Sequence, residues 1–254
     1  MALTVKTMND QLPIKQIFTE GMKMPFANYK ELIRLGWPYA FLILASSFMP
    51  DEIDGVALNI AYAAIFCITG VLGIVGCHRV FLLPKNLVNE TSTVRWSYRE
   101  TKFMLCMLGI GILTGIISIP FFFAIFNIAD LEFFTDESNE LLWGFIFTIS
   151  FMPAYYFVSR WSLILPDSAV DNDRTLSWAW NVSSGYSFRL FVLIGALPLT
   201  TNFIFGFIVT FLDPSYILSL VQNAIWLIVA VIEICLLSLS YEWIVSKQEP
   251  ENDC

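Results

Sequence analysis

The chain has 254 residues, of which 57% are hydrophobic and only 14% charged, with a net charge of −8. An ordinary soluble domain carries about 25% charged residues, and several segments here run about 20 residues without a charge, enough to cross the ~30 Å hydrocarbon layer. A soluble globular fold is excluded, and the scattered Lys and Arg form no cluster dense enough for nucleic acid.

The expected fold is an all-α membrane protein of six transmembrane helices in three hairpins, with short amphipathic interfacial helices on the cytoplasmic side. Residues 1–32 read as a cytoplasmic arm with an interfacial helix. They contain no apolar stretch beside a small-residue cleavage site, so no cleaved signal is expected. The membrane domain is expected over 33–245, with spans at 33–50, 56–77, 103–128, 141–159, 190–212 and 217–241, and a cytoplasmic tail at 246–254. The first span is the weakest, because its uncharged core runs only from Leu35 to Pro50.

Charge sets the orientation. Lys6, Lys15, Lys23, Lys30 and Arg34 precede span one. Arg79, Lys85, Arg95, Arg99 and Lys102 follow span two, Arg160, Arg174 and Arg189 follow span four, and Lys247 lies in the tail. The other three loops hold no basic residue and carry Asp51, Glu52 and Asp54, then Asp130, Glu132, Asp136, Glu137 and Glu140, then Asp213. The Lys/Arg bias predicts both termini and the two long loops in the cytoplasm.

Within the second span Gly70, Gly73 and Gly76 recur every three residues, and Gly111 and Gly115 form one G-x-x-x-G in the third. Close helix packing is expected at both, with a dimer face as the alternative at such motifs. His78, the single histidine, is expected as an interfacial cation at the end of span two, where the helix dipole favours positive charge. Pro120, Pro153 and Pro198 interrupt spans three, four and five, either kinking them around a cavity or relieving packing. Cys67, Cys77, Cys106 and Cys235 read as small apolar filler, and no metal ligand set or cofactor is expected.

The two long loops resemble one another. "PKNLVNETSTVRWSY" (84–98) aligns without gaps on "PDSAVDNDRTLSWAW" (166–180), pairing Pro84 with Pro166, Val88 with Val170, Val94 with Leu176, Trp96 with Trp178 and Tyr98 with Trp180. Arg79 and Arg160 stand shortly before each proline. An ancestral hairpin repeat and coincidence both remain open, and Pro25 with Trp37 repeats the Pro–Trp spacing as a degraded third copy. In the second loop Asp171 or Asp173 is expected to cap a helix that Gly185 ends; in the first, Thr91, Ser92 or Thr93. A calcium loop at Asp167, Asp171 and Asp173 is disfavoured, because the required Gly and terminal Glu are absent.

The stretch from Arg160 carries a pattern, R-x-x-L-x-L-P followed by an acidic turn and L-x-x-[AS]-W-x-x-[ST]-x-G. Here it is borne by Arg160, Leu163, Leu165, Pro166, Ala179, Trp180, Ser183 and Gly185. It resembles a family of bacterial inner-membrane proteins that includes the membrane domain of some glycerophosphodiester phosphodiesterases. The resemblance implies a bacterial inner-membrane module of six spans. It does not imply the reaction, because the phosphodiesterases' separate metal-binding barrel needs several Glu and His residues and roughly 250 positions of its own.

One acidic residue lies deep inside a span: Glu233. A carboxylate there costs ~2.5–3.5 kcal/mol on insertion scales and needs a partner or a proton. It is expected either as part of a relay with Gln222 and Asn223, or hydrogen-bonded to Asn59, Asn127 or Asn202. No catalytic constellation is visible. The expected role is therefore a non-enzymatic accessory or scaffold subunit, or an envelope-maintenance factor, in contact with the bilayer and with a larger membrane complex or its own copy. The alternative is a small-solute or lipid transporter built on Glu233.

Overall fold

The computed structural model describes residues 11–48, 55–128, 140–209, 211–212 and 215–248, with the side chains at 125–143 and 147 left out of the description. Among the described residues the chain is helical, without strands. The acidic loops around 51–54, 130–139 and 213, and the tail beyond Gln248, lie outside the described residues.

The helices are α1 (Ile14–Ala27), α2 (Tyr29–Ser46), α3 (Val56–Leu82), α4 (Lys85–Asn89), α5 (Tyr98–Ile128), α6 (Glu140–Trp161), α7 (Ile164–Ala169) and α8 (Leu176–Val182). After a 3-10 turn at Ser184–Tyr186 come α9 (Ser187–Leu190), a π-helical segment at Phe191–Ala196, α10 (Leu197–Val209) and α11 (Tyr216–Ser246). The runs Val56–Leu82, Tyr98–Ala124, Ser184–Val209 and Tyr216–Ser246 are long and apolar enough to cross a membrane. This is a membrane protein.

The segments expected at 56–77, 103–128, 190–212 and 217–241 overlap these runs, and the described parts of those expected at 33–50 and 141–159 lie largely on α2 and α6; most helices overrun the expected limits at one end. The uncharged cores define where hydrocarbon could be crossed, whereas helical hydrogen bonding continues into the polar flanks. Thus α2 starts at Tyr29 and carries Lys30, Glu31 and Arg34 in its first turns, and α5 starts at Tyr98 rather than 103. Local chemistry sets several starts. At the start of α5 Glu100 reaches back to the residue before the helix, its Oε2 accepting from the Ser97 N–H at 2.8 Å and from Ser97 Oγ. Ser215 Oγ accepts from Leu218 N at 3.1 Å at the start of α11.

Burial is uneven along the helices. In α3 the buried residues run from Gly70 to Phe81, and in α11 from Cys235 to Ile244, while the opposite ends of both helices are exposed or half-buried. The dense core therefore sits at one end of the bundle, where α3, α6 and α11 finish, α5 begins, and the loops 83–97 and 162–186 fold over them. Helix α1 joins this end, with Leu12, Ile17 and Gly21 buried and the Gly21 Cα lying against Leu236 of α11.

The glycines of α3 meet the packing expectation. A Cβ at Gly70 would lie 3.2 Å from Tyr39 Cε2, and one at Gly76 would lie 3.0 Å from Leu35 Cβ, so their absence lets α2 lie close along α3. Gly111 and Gly115 do not meet it: a Cβ at either would have nothing within 4 Å. Their face of α5 is open, bordered by the exposed Leu108, Ile112 and Ile116.

Pro120 and Pro153 lie inside α5 and α6. Pro198 is the second residue of α10, in the first turn after the π-helical segment. At Gly195 within that segment a Cβ would lie 3.2 Å from the Tyr155 carbonyl, so the glycine admits the backbone of α6.

Candidate functional site

Two arrangements of polar groups stand out against the apolar bundle. The first is the seam between the two loops. Helix α7 ends in a Schellman turn: Asn172 N donates to Asp167 O at 3.1 Å, and Asp171 N to Ser168 O at 3.3 Å. The left-handed position of this turn, usually glycine, is held by Asp171 at φ 66°. Its carboxylate meets Arg79 Nη1 at 2.9 Å and Arg99 Nη1 at 3.1 Å. Arg79 also donates to Thr91 Oγ1 and to Ala169 O, at 2.9 and 3.1 Å. Lys102 Nζ reaches Asp173 Oδ1 at 2.6 Å. The cations of the first loop and its flanks thus clasp the anions of the second.

Beneath that surface Asp167 is fully buried. It accepts from Tyr241 Oη at 2.8 Å and from Arg174 N at 3.3 Å, with Arg174 Nη1 at 3.5 Å. Asn172 Nδ2 donates to the same Tyr241 Oη at 3.0 Å, which joins the turn to α11.

These contacts revise three expectations. Asp171 and Asp173 are not helix caps; Thr175 caps α8, accepting from Trp178 N at 3.3 Å. Ser92 holds a local turn through Val94 N and Arg95 N, and the Ser97 N–H at the start of α5 is met by Glu100. Gly185 stops nothing by conformation, because the chain passes through a 3-10 turn straight into α9.

His78 is also corrected. It is 1% exposed, and its Nδ1 lies 2.8 Å from Ser238 Oγ. Ser238 gives its own proton to Ile234 O, which assigns the Nδ1–H tautomer to His78. The ring also packs near Phe103, so this histidine joins α3, α5 and α11 and is no interfacial cation.

The residues of the R-x-x-L-x-L-P pattern do converge. Arg160 Nε donates to Ser183 Oγ at 2.9 Å, Nη2 donates to Trp180 O, and the guanidinium lies 3.4 Å from the Trp180 ring centroid. Phe157 stacks on the same indole. Leu163, Pro166 and Ala179 are buried and Leu165 is half-buried, while Trp178 packs edge-on to Tyr241 under Arg174. In the first loop Trp96 Nε1 donates to Thr101 Oγ1 at 2.8 Å, and Pro84 is exposed ahead of α4. The two prolines occupy different helix positions, Pro84 before α4 and Pro166 inside α7. Pro25 and Trp37 sit within helices and build no third loop.

The second arrangement is a groove of about 780 Å³ between α2, α3 and α11, bordered also by Pro25 and Phe26 of α1. Tyr29, Trp37, Tyr39 and Phe41 line it from α2, and Gly73 and Cys77 from α3. Trp37 and Phe41 are more than half exposed, so the mouth opens sideways. Glu233 is the one ionisable carboxyl or basic group among its lining residues, and Glu233 Oε1 is buried without a hydrogen-bond partner.

Comparisons with protein-family models, with curated proteins and with solved structures find no match for this chain.

Among the described residues the intramembrane polar side chains do not assemble around Glu233 as a relay. Asn223 turns to α2, donating to Ile43 O at 3.1 Å and to Ser47 Oγ at 2.9 Å. Gln222 and Asn223 stand about 15 Å from Glu233 along α11 at 1.5 Å per residue. None of Asn59, Asn202 or Gln222 lines the groove. Asn59 is exposed, Asn202 Oδ1 is buried without a partner, and the Asn127 side chain lies outside the described residues. Among the described residues no three His, Cys, Asp or Glu side chains converge as metal ligands.

The inter-loop seam escaped the sequence reading, although a signal was present. Two loops in matching positions, one rich in Arg and Lys and the other in Asp, are complementary.

Proposed function

We propose that the chain is a six-span bacterial inner-membrane protein, with both termini and both long loops in the cytoplasm, that takes an apolar solute sideways from the bilayer into the Glu233 groove. It is a carrier rather than an enzyme. The observation that carries this reading is the groove itself: a volume of about 780 Å³, in the range of small-molecule sites, lined by aromatic side chains and by one carboxyl whose Oε1 is buried without a partner. An intramembrane ionisable group left unsatisfied by its own protein is a functional signature. The loop seam, on the same reading, closes the cytoplasmic end of the bundle.

Native mass spectrometry after extraction in mild detergent tests this. The protein is expected to retain one membrane amphiphile. Gly36→Phe, at a groove position where a Cβ would have nothing within 4 Å, is expected to fold and to lose it. Identical adducts on both proteins would remove the groove from consideration.

The open Gly111/Gly115 face of α5 favours a second reading, an accessory or scaffold subunit that packs against a partner helix or another copy of the chain. Gly111→Leu would then abolish co-purification or cross-linking. A lone chain in mild detergent and in membranes counts against it.

A further inference from the structure

We propose that the ligand of the Glu233 groove is a monovalent lipophilic cation, a positive charge carried inside an aromatic or alkyl body. This rests on the reading of the groove as a solute site and goes further by naming the chemistry it selects.

Charge comes first. Glu233 is the single acidic group among the groove's lining residues, and none of them is Lys, Arg or His. A bare carboxylate facing hydrocarbon costs ~2.5–3.5 kcal/mol, and an entering cation removes that cost. An anion would find no cationic group in the lining to receive it. A neutral apolar body would fill the space and leave Oε1 as it stands, without a donor.

Size and hydration come next. A small inorganic cation needs several oxygen ligands to replace its water, and this groove offers one carboxyl. A cation that is weakly hydrated because its charge is spread within an apolar body needs no such shell. The rings of Tyr29, Trp37, Tyr39 and Phe41 give the right lining, since aromatic faces attract cations by ~0.5–2 kcal/mol each. The mouth gives the right approach. Trp37 and Phe41 are exposed on the flank of the bundle, where a bilayer-dissolved solute arrives without crossing the loop seam.

The lining also discriminates against the commonest alternative, a phospholipid amine. A lipid amine brings a phosphate with it, and no Arg or Lys lines the groove to receive one.

The test uses two near-isosteric ions of opposite sign, tetraphenylphosphonium and tetraphenylborate, with triphenylphosphine oxide as a neutral probe. Binding to the purified full chain in detergent is measured by equilibrium dialysis, for the natural protein, Glu233→Gln and Trp37→Ala. The natural protein is expected to bind tetraphenylphosphonium at one site, at least about tenfold more tightly than tetraphenylborate. Glu233→Gln should erase that preference while leaving the neutral probe unaffected, and Trp37→Ala should weaken both cation and neutral probe. If the two ions bind the natural protein alike, or if Glu233→Gln keeps the preference, the inference is overturned while the groove survives as a solute site. If none of the three probes binds, the reading of the groove as a solute site fails with it.

Discussion

Asp171 holds the left-handed position of a Schellman turn and from there accepts a hydrogen bond from Arg79, 92 positions earlier in the chain, at 2.9 Å. Glycine would take that backbone position at less cost. The aspartate supplies there the anion that Arg79, nine-tenths buried, needs. Asp171 itself is 56% exposed, so the pair is partly screened and contributes less than a fully buried one. Asp171→Asn and Asp171→Gly should each lower stability by about 1–2 kcal/mol, read as thermal unfolding in detergent. A glycine variant more stable than the natural protein would show that the backbone, not the ion pair, dominates at this turn.

The helices were legible because long apolar runs need only composition to be recognised, and Glu233 was legible because a lone charge inside such a run has no ordinary place. The glycines at 70, 73 and 76 pointed to close packing through their spacing alone. The loop seam was not legible in the same way. Local rules assign an aspartate before a helix to capping, and Asp171 and Asp173 each sit where a cap could be. Their partners lie on α3 and α5, and no local pattern encodes which distant helix end a loop will cover. His78 failed for the same reason: charge rules place a histidine beside Arg79 at the interface, whereas its burial depends on Ser238, 160 positions away.

Gly76 and Gly111 make a matched pair of small residues in apolar helices. A Cβ at Gly76 would press on Leu35, whereas one at Gly111 meets nothing within 4 Å. Gly76→Val should destabilise the docking of α2 on α3 by about 1–3 kcal/mol through overpacking. Gly111→Val should leave the unfolding midpoint of the isolated chain nearly unchanged. Equal losses at both positions would place a packing partner on the α5 face within the chain itself.

Asp167 and Tyr241 tie the second loop to α11 through a 2.8 Å hydrogen bond at a fully buried carboxyl. Tyr241→Phe takes away the donor to Asp167 and also the acceptor of Asn172 Nδ2. The expected loss is about 1–3 kcal/mol, the cost of leaving buried polar groups unmade. Asp167→Asn should couple to it in a double-mutant cycle by at least about 0.5 kcal/mol. Strict additivity would mean that water or Arg174 replaces the tyrosine without cost.

Glu233 separates a functional carboxyl from a structural one by the sign of a single measurement. A structural glutamate holds something, so its removal weakens the fold. Glu233 Oε1 has no partner to lose, and its side chain borders a groove rather than filling a packed core. Glu233→Leu should therefore raise stability, by about 1–3 kcal/mol from the removed burial penalty. For a chain of this size each kcal/mol moves the unfolding midpoint by about 2–4 °C, which thermal unfolding in nanodiscs resolves. The same variant should lose binding of tetraphenylphosphonium. A more stable protein that has lost its ligand is the pattern expected where a residue is kept for its site at the expense of the fold. A less stable protein would make Glu233 a structural residue.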